Sequence, residues 1–142
     1  MRTVETADGR RYLLVKRSSE SSRVRDPATG EERYLPNADL TPVDAGPLET
    51  AAEAVPEATR VLVTATHDER ALGLLLELWR RGPVPVRALL GDYDLCESDL
   101  LGILTEFRVA GLVEEAEVVG ERGYRLTETG EAALAPLVEA DS

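Results

Sequence analysis

Between Gly111 and Gly130 the chain reads Gly-Leu-Val-Glu-Glu-Ala-Glu-Val-Val-Gly-Glu-Arg-Gly-Tyr-Arg-Leu-Thr-Glu-Thr-Gly. This stretch constrains the fold more than any other. Gly111 follows an apolar helical pattern and predicts a helix stop, since glycine enters left-handed backbone without a Cβ penalty. Glu117-Val118-Val119 and Tyr124-Arg125-Leu126 flank Gly120-Glu121-Arg122-Gly123, which predicts two strands and a turn. Thr127 then caps a last helix expected to reach about Val138. Few architectures place a helix end, a hairpin and a new helix start in so short a span.

The pattern upstream is helical. Thr66-His67-Asp68-Glu69 fits a capping box, with the Thr66 hydroxyl on the N3 amide and Glu69 reaching back. The helix that follows is expected to run to about Arg81, with Leu72, Leu75, Leu76 and Trp79 on its buried face, and to stop at Gly82-Pro83. Val84–Tyr93 reads as a second, shorter helix with Val86, Leu89 and Leu90 inward. Asp94-Leu95-Cys96 reads as a turn. A third helix is expected from about Glu97 to Ala110, with Leu100, Leu104 and Phe107 on one stripe. Trp79 and Tyr124 fall on apolar stripes and are expected in the core.

The run Leu95, Leu100, Leu104, Phe107, Ala110-Gly111-Leu112-Val113 is similar to the second half of the helix-turn-helix in ArsR- and MarR-type regulators. Tyr124-Arg125-Leu126-Thr127 with Gly130 is similar to their second wing strand and following helix. Residues 67–138 therefore resemble a winged helix-turn-helix domain, and the whole chain resembles uncharacterised winged-helix proteins of halophilic archaea. The resemblance implies DNA binding, with the third helix in the major groove and the wing on the backbone. Matched onto this sequence, the implied contacts are Arg87, Ser98, Thr105, Arg108, Arg122 and Arg125. It also implies a homodimer on two half-sites. The sequence departs from the pattern in the third helix. Leu101, Gly102 and Ile103 stand where polar base readers are usual, and Asp99 and Glu106 would oppose phosphates. The alternative function is accordingly a protein-interaction module without sequence-specific DNA binding, docking through Leu101 and Ile103. Asp94-Leu95-Cys96-Glu97-Ser98-Asp99-Leu100 resembles the ArsR metal-sensing loop, but Ser98 replaces the second cysteine and the soft ligand pair is missing.

Charge matters to this reading. The chain carries 16 Lys+Arg, of which Lys16 is the single lysine, against 27 Asp+Glu, for a net charge of −11. Such an acid excess fits a high-salt cytoplasm, where screening over about 3 Å at molar salt removes self-repulsion. Residues 1–35 carry eight basic and six acidic side chains, whereas residues 71–142 carry six and fourteen. The basic segment is thus the N-terminal one, contrary to what a DNA-binding C-terminal domain leads one to expect.

In residues 1–40, Tyr12-Leu13-Leu14-Val15 follows an Ala7-Asp8-Gly9 turn, and Ser22–Arg25 and Glu32–Leu35 flank Asp26-Pro27-Ala28-Thr29-Gly30. These predict a β-meander of three or four strands. Its Tyr12 and Tyr34 with Arg11, Arg17, Arg23, Arg25 and Arg33 suit either a nucleic-acid or acidic-partner surface, or pairing with Glu31, Glu32 and the acidic linker. Residues 41–59, with Pro42, Pro47 and Pro56 among Ala, Asp and Glu, read as an acidic linker with one helical turn around Leu48–Val55. Arg60–Ala65 reads as either a strand or a helix lead-in. The expectation is an α+β chain: a small N-terminal β-meander (1–40), the linker (41–59), and a C-terminal winged helix-turn-helix domain (60–142).

Several classes find no support. Cys96 is the only cysteine and His67 the only histidine, so neither a disulfide nor a metal cluster is expected. No paired catalytic carboxylates, Ser-His-Asp set or P-loop stands out, so the chain is not read as an enzyme and no cofactor is expected. No apolar run approaches a membrane span and the N-terminus lacks a signal h-region, so a cytoplasmic protein is expected.

Overall fold

The structure, a computed structural model, describes residues 1–138; residues 139–142 of the expected 60–142 domain lie outside the described residues. The chain is α+β: antiparallel strands come first, then helices and a small second sheet. It divides into two compact units, Met1–Pro56 and Glu57–Ser142.

The first unit is a five-stranded antiparallel sheet made of β1 (Arg2–Glu5), β2 (Arg11–Arg17), β3 (Ser21–Arg25), β4 (Glu32–Pro36) and β5 (Thr41–Pro42), in the order β4-β3-β2-β1-β5. The two turns foreseen at Asp8-Gly9 and Asp26–Gly30 connect β1 to β2 and β3 to β4. Gly9 and Gly30 both have positive φ, and the Asp26 carboxylate accepts the Ala28 amide at 2.8 Å. Val4, Tyr12 and Val24 form the core, flanked by Leu14, Leu35 and Leu40. The register shifts between Leu14 and Lys16 of β2, a bulge that re-aims the strand's end.

The expected linker is ordered over much of its length. Thr41–Pro42 pairs with β1, and Pro47–Ala51 forms a short helix, α1, with Pro47 at its first turn. Thr50 of α1 and Thr3 of β1 are both about 1% exposed, and their hydroxyls bond at 2.7 Å. A buried hydroxyl pair that satisfies both members gives this Pro- and Ala-rich segment a fixed place that composition does not reveal.

The second unit holds α2 (Glu57–Ala65), α3 (Glu69–Arg81), β6 (Val84–Pro85), α4 (Val86–Tyr93), α5 (Glu97–Val109), β7 (Val113–Val118), β8 (Glu121–Leu126) and α6 (Glu128–Val138). The strands form a sheet in the order β6-β8-β7. Leu75, Leu78, Leu89, Leu100, Leu104, Phe107, Leu112 and Leu134 are the buried heart of its core. Arg60–Ala65 lies in a helix: Ala58, Val61, Leu62 and Ala65 repeat at helical spacing and meet the core, and this outweighs the β-branched residues between them. Thr59 of α2, buried, donates to the Ala133 carbonyl of α6 at 3.2 Å.

Three local expectations are corrected. The cap of α3 is Asp68, whose carboxylate accepts the Ala71 amide at 2.8 Å, while the Thr66 hydroxyl donates back to Leu62. Val84-Pro85 is a strand, since it pairs with Tyr124 and Gly123 of β8. The hairpin turn is Val119-Gly120, both at positive φ, a two-residue loop of the kind that matches strand twist. Gly123 lies inside β8. A Cβ there would sit 2.5 Å from the Val84 carbonyl oxygen, so this glycine lets β6 approach rather than making a turn.

The joint between hairpin and last helix is tight. Thr127 donates from its amide to the Leu112 carbonyl at 3.0 Å and from its hydroxyl to the Gly111 carbonyl at 2.5 Å, while the same hydroxyl oxygen accepts the Gly130 amide at 3.0 Å. One side chain therefore caps α6 and ties it to the end of α5.

Candidate nucleic-acid interface

Helix α5 turns about 100° per residue, so its residues sort by face. Leu100, Leu104 and Phe107 are buried. Opposite them lies a line of exposed residues, Ser98, Gly102, Thr105 and Val109, with Arg108 at one edge and Asp99 and Glu106 at the other. That outward line contains no acidic residue. Asp99 and Glu106, expected to oppose phosphates, stand to one side of it: Asp99 pairs with Arg70 at 3.7 Å and Glu106 with His67 at 3.1 Å, both from the start of α3 and the turn before it. Thr105 donates its hydroxyl to the Leu101 carbonyl at 2.7 Å, and Ser98 lies 3.4 Å from the Cys96 sulfur.

All six candidate contacts, Arg87, Ser98, Thr105, Arg108, Arg122 and Arg125, are exposed. The arginines are not free. Arg108 and Arg122 share Glu115, at 3.2 and 2.8 Å, which joins α5 to the β7–β8 hairpin. Arg125 pairs with Glu114 at 2.9 Å and Arg87 with Glu121 at 3.1 Å. Four guanidiniums thus face three carboxylates. Arg122 also donates to the Tyr124 hydroxyl at 2.9 Å, and that bond, followed by the one to Glu115, raises its pKa above the ordinary arginine value. Its guanidinium carbon stands 5.7 Å from the centre of the Tyr124 ring.

The structure gathers only part of the set. Arg108 and Arg122 meet through Glu115. Arg122 and Arg125 are an odd number of residues apart on β8 and project from opposite faces of the hairpin. Glu114, Glu115 and Glu121 were not anticipated as part of this site. Glu114 lies directly across from Arg125, and Glu115 is diagonal to Arg122. Both follow from the register once the turn is placed at Val119-Gly120.

Leu101 and Ile103 do not form one docking face. They are two residues apart, about 200° around the helix, and Ile103 packs against the core of the unit. In the first unit, Arg11 pairs with Glu5 and Glu53, Arg23 with Glu32, and Arg10 with Asp26. Tyr12 is buried and receives a hydrogen bond from Arg33, while Tyr34 is exposed. Of the eight basic residues in 1–35, Arg10, Arg11 and Arg23 are thus bound to local carboxylates, whereas Arg17 and Arg25 make no ion pair among the described residues. Among the described residues no trio of His, Cys, Asp or Glu is grouped to hold a metal ion, and no helix is long and apolar enough to cross a membrane.

Fold and surface together define an α+β protein whose second unit presents a helix line of small and hydroxyl side chains, flanked by Asp99 and Glu106, beside an arginine-bearing hairpin. The chain belongs to DUF7346, a family of unknown function whose model matches residues 1–138. No curated protein and no solved structure matches it.

Proposed function

We propose that the protein is a DNA-binding regulator of winged helix-turn-helix type, acting as a homodimer in a high-salt cytoplasm. The observation that carries the reading is the outward line of α5. Residues 57–142 hold seventeen acidic side chains against eight basic ones, yet Ser98, Gly102, Thr105 and Val109 form a line with none, and the acids at its flank, Asp99 and Glu106, are engaged by Arg70 and His67. A helix entering a groove lined by phosphates needs that absence first. Gly102, with nothing within 4 Å of the place its Cβ would take, keeps the middle of the face low and allows close approach. Ser98 and Thr105 supply hydroxyls, and Arg108 and Arg122 supply charge at the margin.

The ion pairs of those arginines do not oppose this reading. Exposed pairs contribute about 0–1 kcal/mol each, so a phosphate oxygen can replace Glu115 at little cost. Direct phosphate contacts gain less as salt rises, which places the weight on shape complementarity along α5.

The test is retention of a pool of random-sequence duplexes, read by fluorescence anisotropy from ~0.1 to ~2 M KCl. Wild-type chain should bind, Thr105→Glu should abolish binding, and the double variant Arg108→Ala/Arg122→Ala should weaken it by about tenfold or more. Absence of wild-type binding at every salt overturns the reading, as does undiminished binding by Thr105→Glu.

A further inference from the structure

The outer face of α3 is uncommitted. Leu72, Gly73 and Leu76 are only half-buried. Leu76 and Arg80 border two hollows at once. One, of about 390 Å³, lies toward Tyr93 and Leu95, and the other, of about 330 Å³, toward Leu137 of α6. Leu137 is itself 53% exposed. The face is thus a shallow apolar trough with α3 as its floor.

The ends of this floor carry opposite charge. Glu69, Gly73, Leu76 and Arg80 are spaced four, three and four residues apart, which aligns them along one side of the helix. Glu69 lies in the first turn and Arg80 in the last. Among the described residues neither makes an ion pair, whereas the neighbouring Arg70 and Arg81 pair with Asp99 and Asp92. An acid at one end, a base at the other and an apolar middle make a pattern that is complementary to its own reverse.

We propose that α3 is the surface on which two copies of this chain meet, packed antiparallel about a two-fold axis passing between Gly73 and Leu76. The inference rests on the dimeric part of the reading above and is independent of DNA. In this arrangement Glu69 of one protomer faces Arg80 of its partner, twice. The Leu76 side chain of each enters the space over Gly73 of the other, where no atom lies within 4 Å of an added Cβ. The span from Glu69 to Arg80 is about 16 Å at 1.5 Å per residue, long enough for both ion pairs to flank the apolar centre. Such an isologous contact closes on itself and adds no third copy.

Sedimentation equilibrium of the full chain, over a concentration series at ~0.2 and ~2 M KCl, tests the proposal. The wild type should be a dimer. Glu69→Arg and Arg80→Glu should each raise the dimer dissociation constant by about tenfold or more, since each turns two attractive pairs into two repulsive ones. The double variant Glu69→Arg/Arg80→Glu should restore the dimer, because the reversed charges match again. Rescue of this kind is not produced by damage to the fold, and Trp79 fluorescence checks folding in each variant. A wild type that stays monomeric overturns both this surface and the dimeric reading. A wild-type dimer unmoved by either single reversal overturns the surface alone.

Discussion

Gly130 is the position where one methyl group should cost most in the second unit. It is the third residue of α6, and a Cβ there would lie 2.2 Å from the Leu112 carbonyl oxygen and 3.3 Å from Leu126 Cδ2. Carbon and oxygen ordinarily meet no closer than about 3.3 Å, so Gly130→Ala must push the start of α6 back by roughly 1 Å. That movement pulls on the two bonds Thr127 makes to Leu112 and Gly111. Overpacking costs about 1–3 kcal/mol and each weakened hydrogen bond up to about 1 kcal/mol, against a helix-propensity gain of about 1 kcal/mol. The net is a loss of about 2–3 kcal/mol, or roughly 10–20 °C in Tm for a unit of this size. Gly102→Ala in α5 is the matched control, because its Cβ would meet nothing within 4 Å; it should stabilise by about 0.5–1 kcal/mol. Trp79, the only tryptophan, lies in the second unit, so its fluorescence through a urea titration reads both variants. Equal or greater resistance of Gly130→Ala to urea would refute the reasoning, since then the closeness of α6 to the Leu112 carbonyl sets no limit.

Two further outcomes concern the tip of the β7–β8 hairpin and the first sheet. Val119 holds φ +50 while 97% exposed, so its β-branched side chain strains the turn and packs on nothing; Val119→Asn should raise stability by about 0.5–1 kcal/mol, measured by the same titration. Thr50→Val removes one half of the buried Thr3–Thr50 pair and should cost about 1–3 kcal/mol, whereas Thr3→Val/Thr50→Val should recover much of it, as read by far-UV circular dichroism in a double-mutant cycle.

Where local chemistry alone decides, the sequence is legible. The Asp-Gly and Asp-Pro turns of the meander, the stripe of Leu100, Leu104 and Phe107, and the stop at Gly111 all follow from the chain's immediate surroundings. What is hidden depends on distant partners. Gly123 reads as a turn residue because nothing nearby in sequence shows that Val84 will lie against it. Residues 41–59 read as a linker in part because the partners of Thr50 and Thr41 stand more than thirty residues away, on β1. The candidate site divides in the same way. The arginines are visible as residue types, but their pairing with Glu114, Glu115 and Glu121 requires the hairpin register and, for Arg87, contact across the sheet. The acids of α5 read as obstacles until the helix is turned and Asp99 and Glu106 are seen to sit beside the outward line.

The order β4-β3-β2-β1-β5 leaves the first sheet with two open edges, and each ends in proline: Pro36 on β4 and Pro42 on β5. A proline cannot donate to another strand, so each rim carries a gap in its row of amides. A second sheet approaching either rim would meet that gap, together with the charges of Glu32 and Arg33 on the β4 side. At any ionic strength, these tertiary amides guard against fibrous self-stacking by steric and hydrogen-bonding means that salt screening of charge does not weaken.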